Sequence, residues 1–250
     1  MSNLDDGDKN MSDHETTVRE LALHQPGAAR VFEELHIDYC CGGARSLREA
    51  CERAGVSLDA ALARLDRAPP DATSDVWESR PMGELIDHIL VVHHEHDRRE
   101  IERLRALSTK VASVHGGGHP EVVSARVLFD KLASELEPHM MKEEQVLFPY
   151  VRKLEAAERA GAPVATPFFG TVANPVRMMM AEHDVVGSIL RDLRTTTREY
   201  VIPEGACASY ATLYHALEEF ERELHLHIHL ENELLFPRAF RTERALPRGK

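Results

Sequence analysis

Cysteine is scarce in this 250-residue chain, and basic charge is in deficit. The four cysteines, Cys40, Cys41, Cys51 and Cys207, are too few for a disulfide-stapled scaffold and fit a reducing compartment. Thirty Lys and Arg stand against 42 Asp and Glu, a net charge of −12. A chain this acidic lacks the basic patch that nucleic acid or an anionic membrane requires. Long apolar runs are missing: runs such as Ile89–Val92 and Met178–Ala181 fall far short of the roughly 18–20 residues of a membrane span. The acidic start MSNLDDGDKNMSDHE does not read as a signal peptide. Strand-type alternation is absent throughout. These absences predict a soluble, cytoplasmic, all-α protein. Histidine, by contrast, is in excess. There are fifteen, about two to three times the usual share. Twelve of them lie between His88 and His229.

The organisation is readable from breaks and stripes. Residues 1–15 are charged and poor in aliphatic side chains, which predicts disorder. Residues 16–67 read as a small helical module. Val18, Leu21 and Ala22 form one stripe, and Ala28, Val31, Phe32 and Leu35 another, with Pro26 suited to opening the second helix. Cys40-Cys41-Gly42-Gly43 reads as a turn, and Ser46 with Glu49 as a capping box. Ser57 can cap the next helix. Residues 68–80 have linker composition. Residues 81–241 then carry four long helical stretches, about Pro81–Val111, Glu121–Glu158, Pro175–Tyr200 and Cys207–Arg241, which predict an antiparallel four-helix bundle. Pro138, inside the second, predicts a kink or a displaced hydrogen bond.

The bundle is an internal duplication. His139-Met-Met-Lys-Glu143-Glu-Gln-Val-Leu-Phe-Pro149 is answered 88 residues later by His227-Ile-His-Leu-Glu231-Asn-Glu-Leu-Leu-Phe-Pro237. His94 is followed by Ile101 and Leu104, and His183 by Leu190 and Leu193, at the same offsets. Each hairpin therefore supplies one isolated histidine and one His-x3-Glu pair. Residues four apart share a helix face, about 6 Å apart along the axis. Both pairs fall on the apolar stripe, where a buried carboxylate costs several kcal/mol unless compensated. A shared cation removes that cost. His94, His139, His183 and His227 give one imidazole per helix, and Glu143 and Glu231 give two carboxylates able to bridge. Two metals would each have four protein donors, leaving room for an oxo or hydroxo bridge and a small ligand. Nitrogen and oxygen donors without thiolate suit iron or manganese. Zinc, which favours four-coordination, is less at home. The Glu-x-x-His string of ferritin-type bundles occurs once, at Glu33–His36, outside the bundle.

A duplicated His and His-x3-Glu bundle resembles the hemerythrin-like domain. With the Asp38-Tyr39-Cys40-Cys41-Gly42-Gly43 string, the chain resembles the repair-of-iron-centres family of YtfE/ScdA-like di-iron proteins over about residues 16–240. The resemblance implies a non-haem centre of two iron ions in a cytosolic protein. It also implies a role in restoring iron–sulfur clusters damaged by nitric oxide or peroxide, with damaged iron–sulfur proteins as partners and iron as the material handled. The metal ligands carry over to His94, His139, Glu143, His183, His227 and Glu231. The family's acidic residues near the metal carry over to Glu182 and Glu135, as candidates for backing the ligands or for a path that iron follows. Cys40 and Cys41 become candidates for redox or iron transfer. Delivery rather than turnover is the primary expectation. The rival readings are reversible binding or sensing of NO or O2, and reduction of NO, at the same centre. A homodimer is compatible with the sequence.

The remaining histidines read less sharply. His225 and His229 lie round the helix from His227, which predicts a solvated face, and His93 and His96 also fall off the ligand stripe, which predicts the surface or a place just behind the ligands. His88 can be interior. Cys51 lies on a helix stripe and reads as core. Met140, Met141 and Met178–Met180 read as bundle packing.

Overall fold

The computed structural model describes residues 16–25, 27–39, 43–68 and 77–249. The expected disordered start, Pro26, Cys40, Cys41 and most of the expected linker lie outside them. The described residues are helical and contain no strand, only two isolated backbone bridges. The all-α expectation holds. The chain divides into two compact units.

The first unit holds α1 (Val18–His24), α2 (Ala28–Glu34), α3 (Leu47–Ala54) and α4 (Leu58–Leu65). Two reciprocal capping boxes start α1 and α3. Thr17 pairs with Glu20, and Ser46 with Glu49 as its spacing predicts. Ser57 occupies the N-cap of α4 without a side-chain bond. Val18, Phe32, Tyr39, Leu47, Cys51, Ala61 and Leu65 form the core. Burial raises the Cys51 thiol pKa, as an inert core cysteine requires. The segment after the Cys-Cys-Gly-Gly string runs back along the start of α1, with Arg19 N–H donating to the Gly43 carbonyl at 3.0 Å. Gly43 is needed there: a Cβ would sit 2.4 Å from the Tyr39 carbonyl oxygen.

The second unit is the bundle. Three of its four long helices are interrupted by a π segment. Helix α5 runs Met82–His88, π Ile89–His94, then Glu95–His115. Helix α6 runs Pro120–Lys142, π Glu143–Leu147, then Phe148–Ala160. Helix α7 is Ala173–Thr196, and α8 runs Ala208–His229, π Leu230–Leu235, then Phe236–Ala245. Helix α6 packs against α5 and α7, and α8 packs against α5. Phe129 on α6 meets Phe220 on α8 edge-to-face at 5.6 Å.

The repeated prolines give a reason for two of the π segments. Pro149 and Pro237 stand two residues past their last residues, Leu147 and Leu235. Neither has an N–H to donate four residues back, and each ring crowds that carbonyl, so the turn before it widens. Pro138 differs: α6 continues through it. Helix α7 ends in three successive left-handed residues, Arg198, Glu199 and Tyr200, with φ of 54°, 58° and 57°. Buried Glu221 on α8 pins this turn. It accepts from Tyr200 Oη at 2.8 Å and pairs with Arg194 at 3.0 Å.

Candidate metal centre

The π segments lie at the places where the bundle carries acid and imidazole in its core. His94 ends the first, Glu143 opens the second and Glu231 lies within the third. A π turn inserts one residue and shifts the register of the face that follows, a device common at functional sites.

The six expected ligands all come together, and all are buried. They form two sets, His94–Glu143–His227–Glu231 and His139–Glu143–His183–Glu231, each with donor atoms within 4.8 Å of one another. Both carboxylates belong to both sets. His94 Nε2 lies 3.1 Å from His227 Nε2, and His183 Nε2 lies 3.0 Å from His139 Nε2. The carboxylate oxygens of Glu143 and Glu231 are buried without a hydrogen bond. They face ring nitrogens at 3.5 and 3.4 Å for Glu143 and at 3.2 and 3.3 Å for Glu231. Buried carboxylates without hydrogen bonds need positive charge. Two imidazoles and two carboxylates in each set, without thiolate, fit a cation of the iron or manganese type.

The electrostatics agree. Burial penalises the charged ring of His139, but Glu143, Glu182 and Glu231 outweigh it and lift its pKa to about 10. Burial likewise opposes the charge on His227, and Glu231 with Asp97 raises its pKa well above the ordinary value. Burial and mutual repulsion work against Glu143, yet His139 and His94 hold its pKa low. Glu231 is held well below the usual carboxylate range against burial by His227 and His183.

Carboxylates also back the outer nitrogens. His139 Nδ1 meets Glu182 at 2.9 Å, as the resemblance implies, and Glu182 also pairs with Lys142. The His139 bond leads in pulling the Glu182 pKa down to about 2. Two such residues escaped the sequence reading. Glu144 lies 2.7 Å from His94 Nδ1 and pairs with Arg98. Asp97 lies 3.0 Å from His227 Nδ1, and bonds from His227 and His96 overcome its burial to hold its pKa at about 2. Asp97 stands three residues after His94, on a shared face, which is the signal that could have found it. Glu135 is not part of this layer. It is exposed on α6, one turn from His139, whose Nδ1 points instead to Glu182 on α7.

The repeated Leu-Phe-Pro string has a local purpose. Phe148 stacks on His94 at 5.7 Å and Phe236 on His183 at 6.1 Å, so each phenyl ring walls off one ligand. The solvated-face expectation fails for His229, which is buried, and of the two places expected for His93 the structure shows the one behind the ligands, also buried. His93 lies within a π segment, where a wheel of 3.6 residues per turn misplaces it, and it stacks on His227 at 5.5 Å. Burial and the His227 charge push its pKa down to about 3. His229 lies in a stretch, 227–236, that is buried on every side, so no solvated face exists there. His96 and His225 are half-buried.

A helical bundle with a duplicated, buried His/Glu donor set defines a cation-binding protein of hemerythrin type. Residues 85–239 match the family model of the hemerythrin HHE cation binding domain, and residues 14–69 match ScdA_N, a domain of unknown function. The iron-sulfur cluster repair protein YtfE of Escherichia coli O81 is 33% identical over 233 residues, covering 93% of this chain and 100% of that protein. The YtfE protein of Escherichia fergusonii matches to the same extent, 33% over 233 residues, 93% and 100%. The chain belongs to this family of hemerythrin-domain proteins. Among the described residues, no helix is long and apolar enough to cross a membrane.

Proposed function

We propose that this protein repairs iron–sulfur clusters damaged by nitrosative or oxidative stress, by supplying iron from a centre of two iron ions. The ligands would be His94, His139, Glu143, His183, His227 and Glu231. One observation carries the reading: two buried donor sets share both carboxylates, and the oxygens of those carboxylates have no hydrogen bond. The repair role named for the relatives, which match end to end, supports the biological setting.

Iron is the cargo in this reading, and the residues would govern its hold. Glu143 and Glu231 touch both positions, so protonation of either would loosen both. His139 and His227 take up protons readily beside their carboxylates. Phe148 and Phe236 would exclude water from one side of the donor sets. The chain would work in the cytoplasm, with residues 81–241 as the metal-holding domain, 16–67 as the accessory module and 68–80 as the linker. Cys40 and Cys41 would receive iron or electrons in that module.

The test is iron content together with cluster rescue. Anaerobically purified protein is expected to carry two iron per chain and to restore a nitrosylated [4Fe–4S] protein. Glu143→Leu and Glu231→Leu are expected to lose both properties. Variants that rescue as well as wild type would refute iron donation. A stable, reversible O2 or NO adduct without iron transfer would point to gas binding instead.

A further inference from the structure

The acidic charge of the chain has a local exception in the first unit. A cavity of about 170 Å³ opens between α2 and the end of α4. Arg30 and Glu34 line it from α2, Arg64 from the last turn of α4, and Arg67 and Ala68 from the turn beyond. Glu34 divides its carboxylate between two guanidinium groups. One oxygen lies 3.3 Å from Arg30 Nε and the other 3.7 Å from Arg64 Nη1. Among the described residues the Arg67 guanidinium has no ion-pair partner. Three guanidinium groups and one carboxylate leave two positive charges at the cavity, in a chain of net charge −12.

Stability does not account for this arrangement. Arg30 and Glu34 are four apart on one helix, and Arg64 stands near a helix C-terminus, both ordinary placements. Exposed pairs of this kind contribute little. Arg67 lies past the helix end. Its amide donates to the Arg64 carbonyl at 3.2 Å, and this turn brings both arginines to the same cavity.

We propose that this cavity binds a phosphate group, and that Glu34 engages the same guanidinium groups when the phosphate is absent. Each guanidinium offers five donors in a planar fork, so one carboxylate cannot saturate three of them. A planar carboxylate takes one fork edge to edge. A tetrahedral oxyanion presents oxygens in several directions, which suits forks arriving from two elements. A phosphate group carries about −1.5 to −2 charges at pH 7, which matches the surplus. Sites for drug-sized molecules run about 300–1,000 Å³, so this space takes the phosphate itself and not the body of a nucleotide. Inorganic phosphate and a phosphomonoester on a larger molecule share this chemistry, and the test separates them.

The inference is independent of the two-iron reading. Full-length protein, iron-loaded and stripped, is titrated by calorimetry at low ionic strength with inorganic phosphate and, separately, with phosphoserine. One phosphate per chain is expected at this cavity, with the same affinity in both forms. Arg67→Gln is expected to weaken it about 10–100-fold, the worth of a charge-assisted hydrogen bond. Glu34→Gln is expected to tighten it several-fold, because the internal competitor is gone. A merely structural cluster predicts neither change. Phosphoserine bound as tightly as phosphate supports a site for a phosphate carried on a larger molecule, and weaker binding supports a site for the free ion. Binding that requires iron, that survives Arg67→Gln or that Glu34→Gln does not tighten would overturn the proposal. So would acetate bound as tightly as phosphate. Thermal unfolding checks the fold of each variant. If Glu34→Gln does not fold, Arg67→Gln, which breaks no ion pair among the described residues, still decides the matter.

Discussion

Glu143→Leu probes the shared-carboxylate arrangement directly, because one side chain serves both donor sets. In stripped protein the cost should be small. Removing one partner of a buried ion pair typically costs about 3–5 kcal/mol, because the other charge is left uncompensated. Here His139 keeps Glu182 at 2.9 Å and can release its proton, and the repulsion between Glu143 and Glu231 disappears. The net loss should be about 1–2 kcal/mol on that scale. The metal-dependent term behaves differently. A cation at a thousand times its Kd adds about 4 kcal/mol, and each kcal/mol is worth about 2–4 °C in Tm at this chain length, a gain of about 8–16 °C. Losing an outer partner of a ligand already costs up to about 100-fold in affinity, and losing a direct donor costs more. A thousandfold loss leaves about 0.4 kcal/mol, a gain of about 1–2 °C. The assay is anaerobic calorimetry of wild type and Glu143→Leu, stripped and with iron(II), alongside elemental analysis. A variant that keeps the wild-type iron content and the wild-type rise in Tm would refute the reasoning. A stripped variant destabilised by the full ion-pair cost would show that His139 does not shed its charge.

Two further outcomes follow from the same structure. In stripped protein the folded pKa of His139, about 10, lies above the ordinary 6.5 of the unfolded chain. The stabilisation is therefore fully present below pH 6.5 and lost as pH rises through about 10, a change of up to about 5 kcal/mol. Tm of the stripped protein should fall across that window. Iron displaces the proton, so the loaded protein should lack this fall, and a stripped protein with flat Tm from pH 6.5 to 10 would sink the argument. Glu221→Leu should cost about 3–5 kcal/mol, because Arg194 and Tyr200 lose their buried partner and the left-handed turn at 198–200 loses its anchor. Calorimetry should show a drop of about 6–20 °C with iron content unchanged, and a loss below about 1 kcal/mol would contradict the role given to Glu221.

The buried donor set was legible because a repeat fixes it twice. His139 and His227 share a frame that runs to the Leu-Phe-Pro string, and the flanking apolar offsets select His94 and His183 from crowded neighbours. Helical spacing alone then put each glutamate on the face of its histidine. The layer behind the ligands was less legible because its contacts cross between helices. Asp97 on α5 meets His227 on α8, Glu144 on α6 meets His94 on α5, and Glu182 on α7 meets His139 on α6. Such pairings depend on the rotation of each helix about its axis, and the π segments alter that rotation where the ligands sit. The same shift decides between the two places open to His93 and puts it behind His227, and a residue buried on all sides, His229, defeats any rule based on a solvated face. A duplicated frame thus exposes what its two copies share, which is the donor set. The differences between the copies, Asp97 against Val186 and Glu182 against His93, acquire meaning only once the helices are assembled, because only then does each fall behind a particular imidazole. Chemistry common to both donor sets is written in the repeat, and any difference between them must be written in its exceptions.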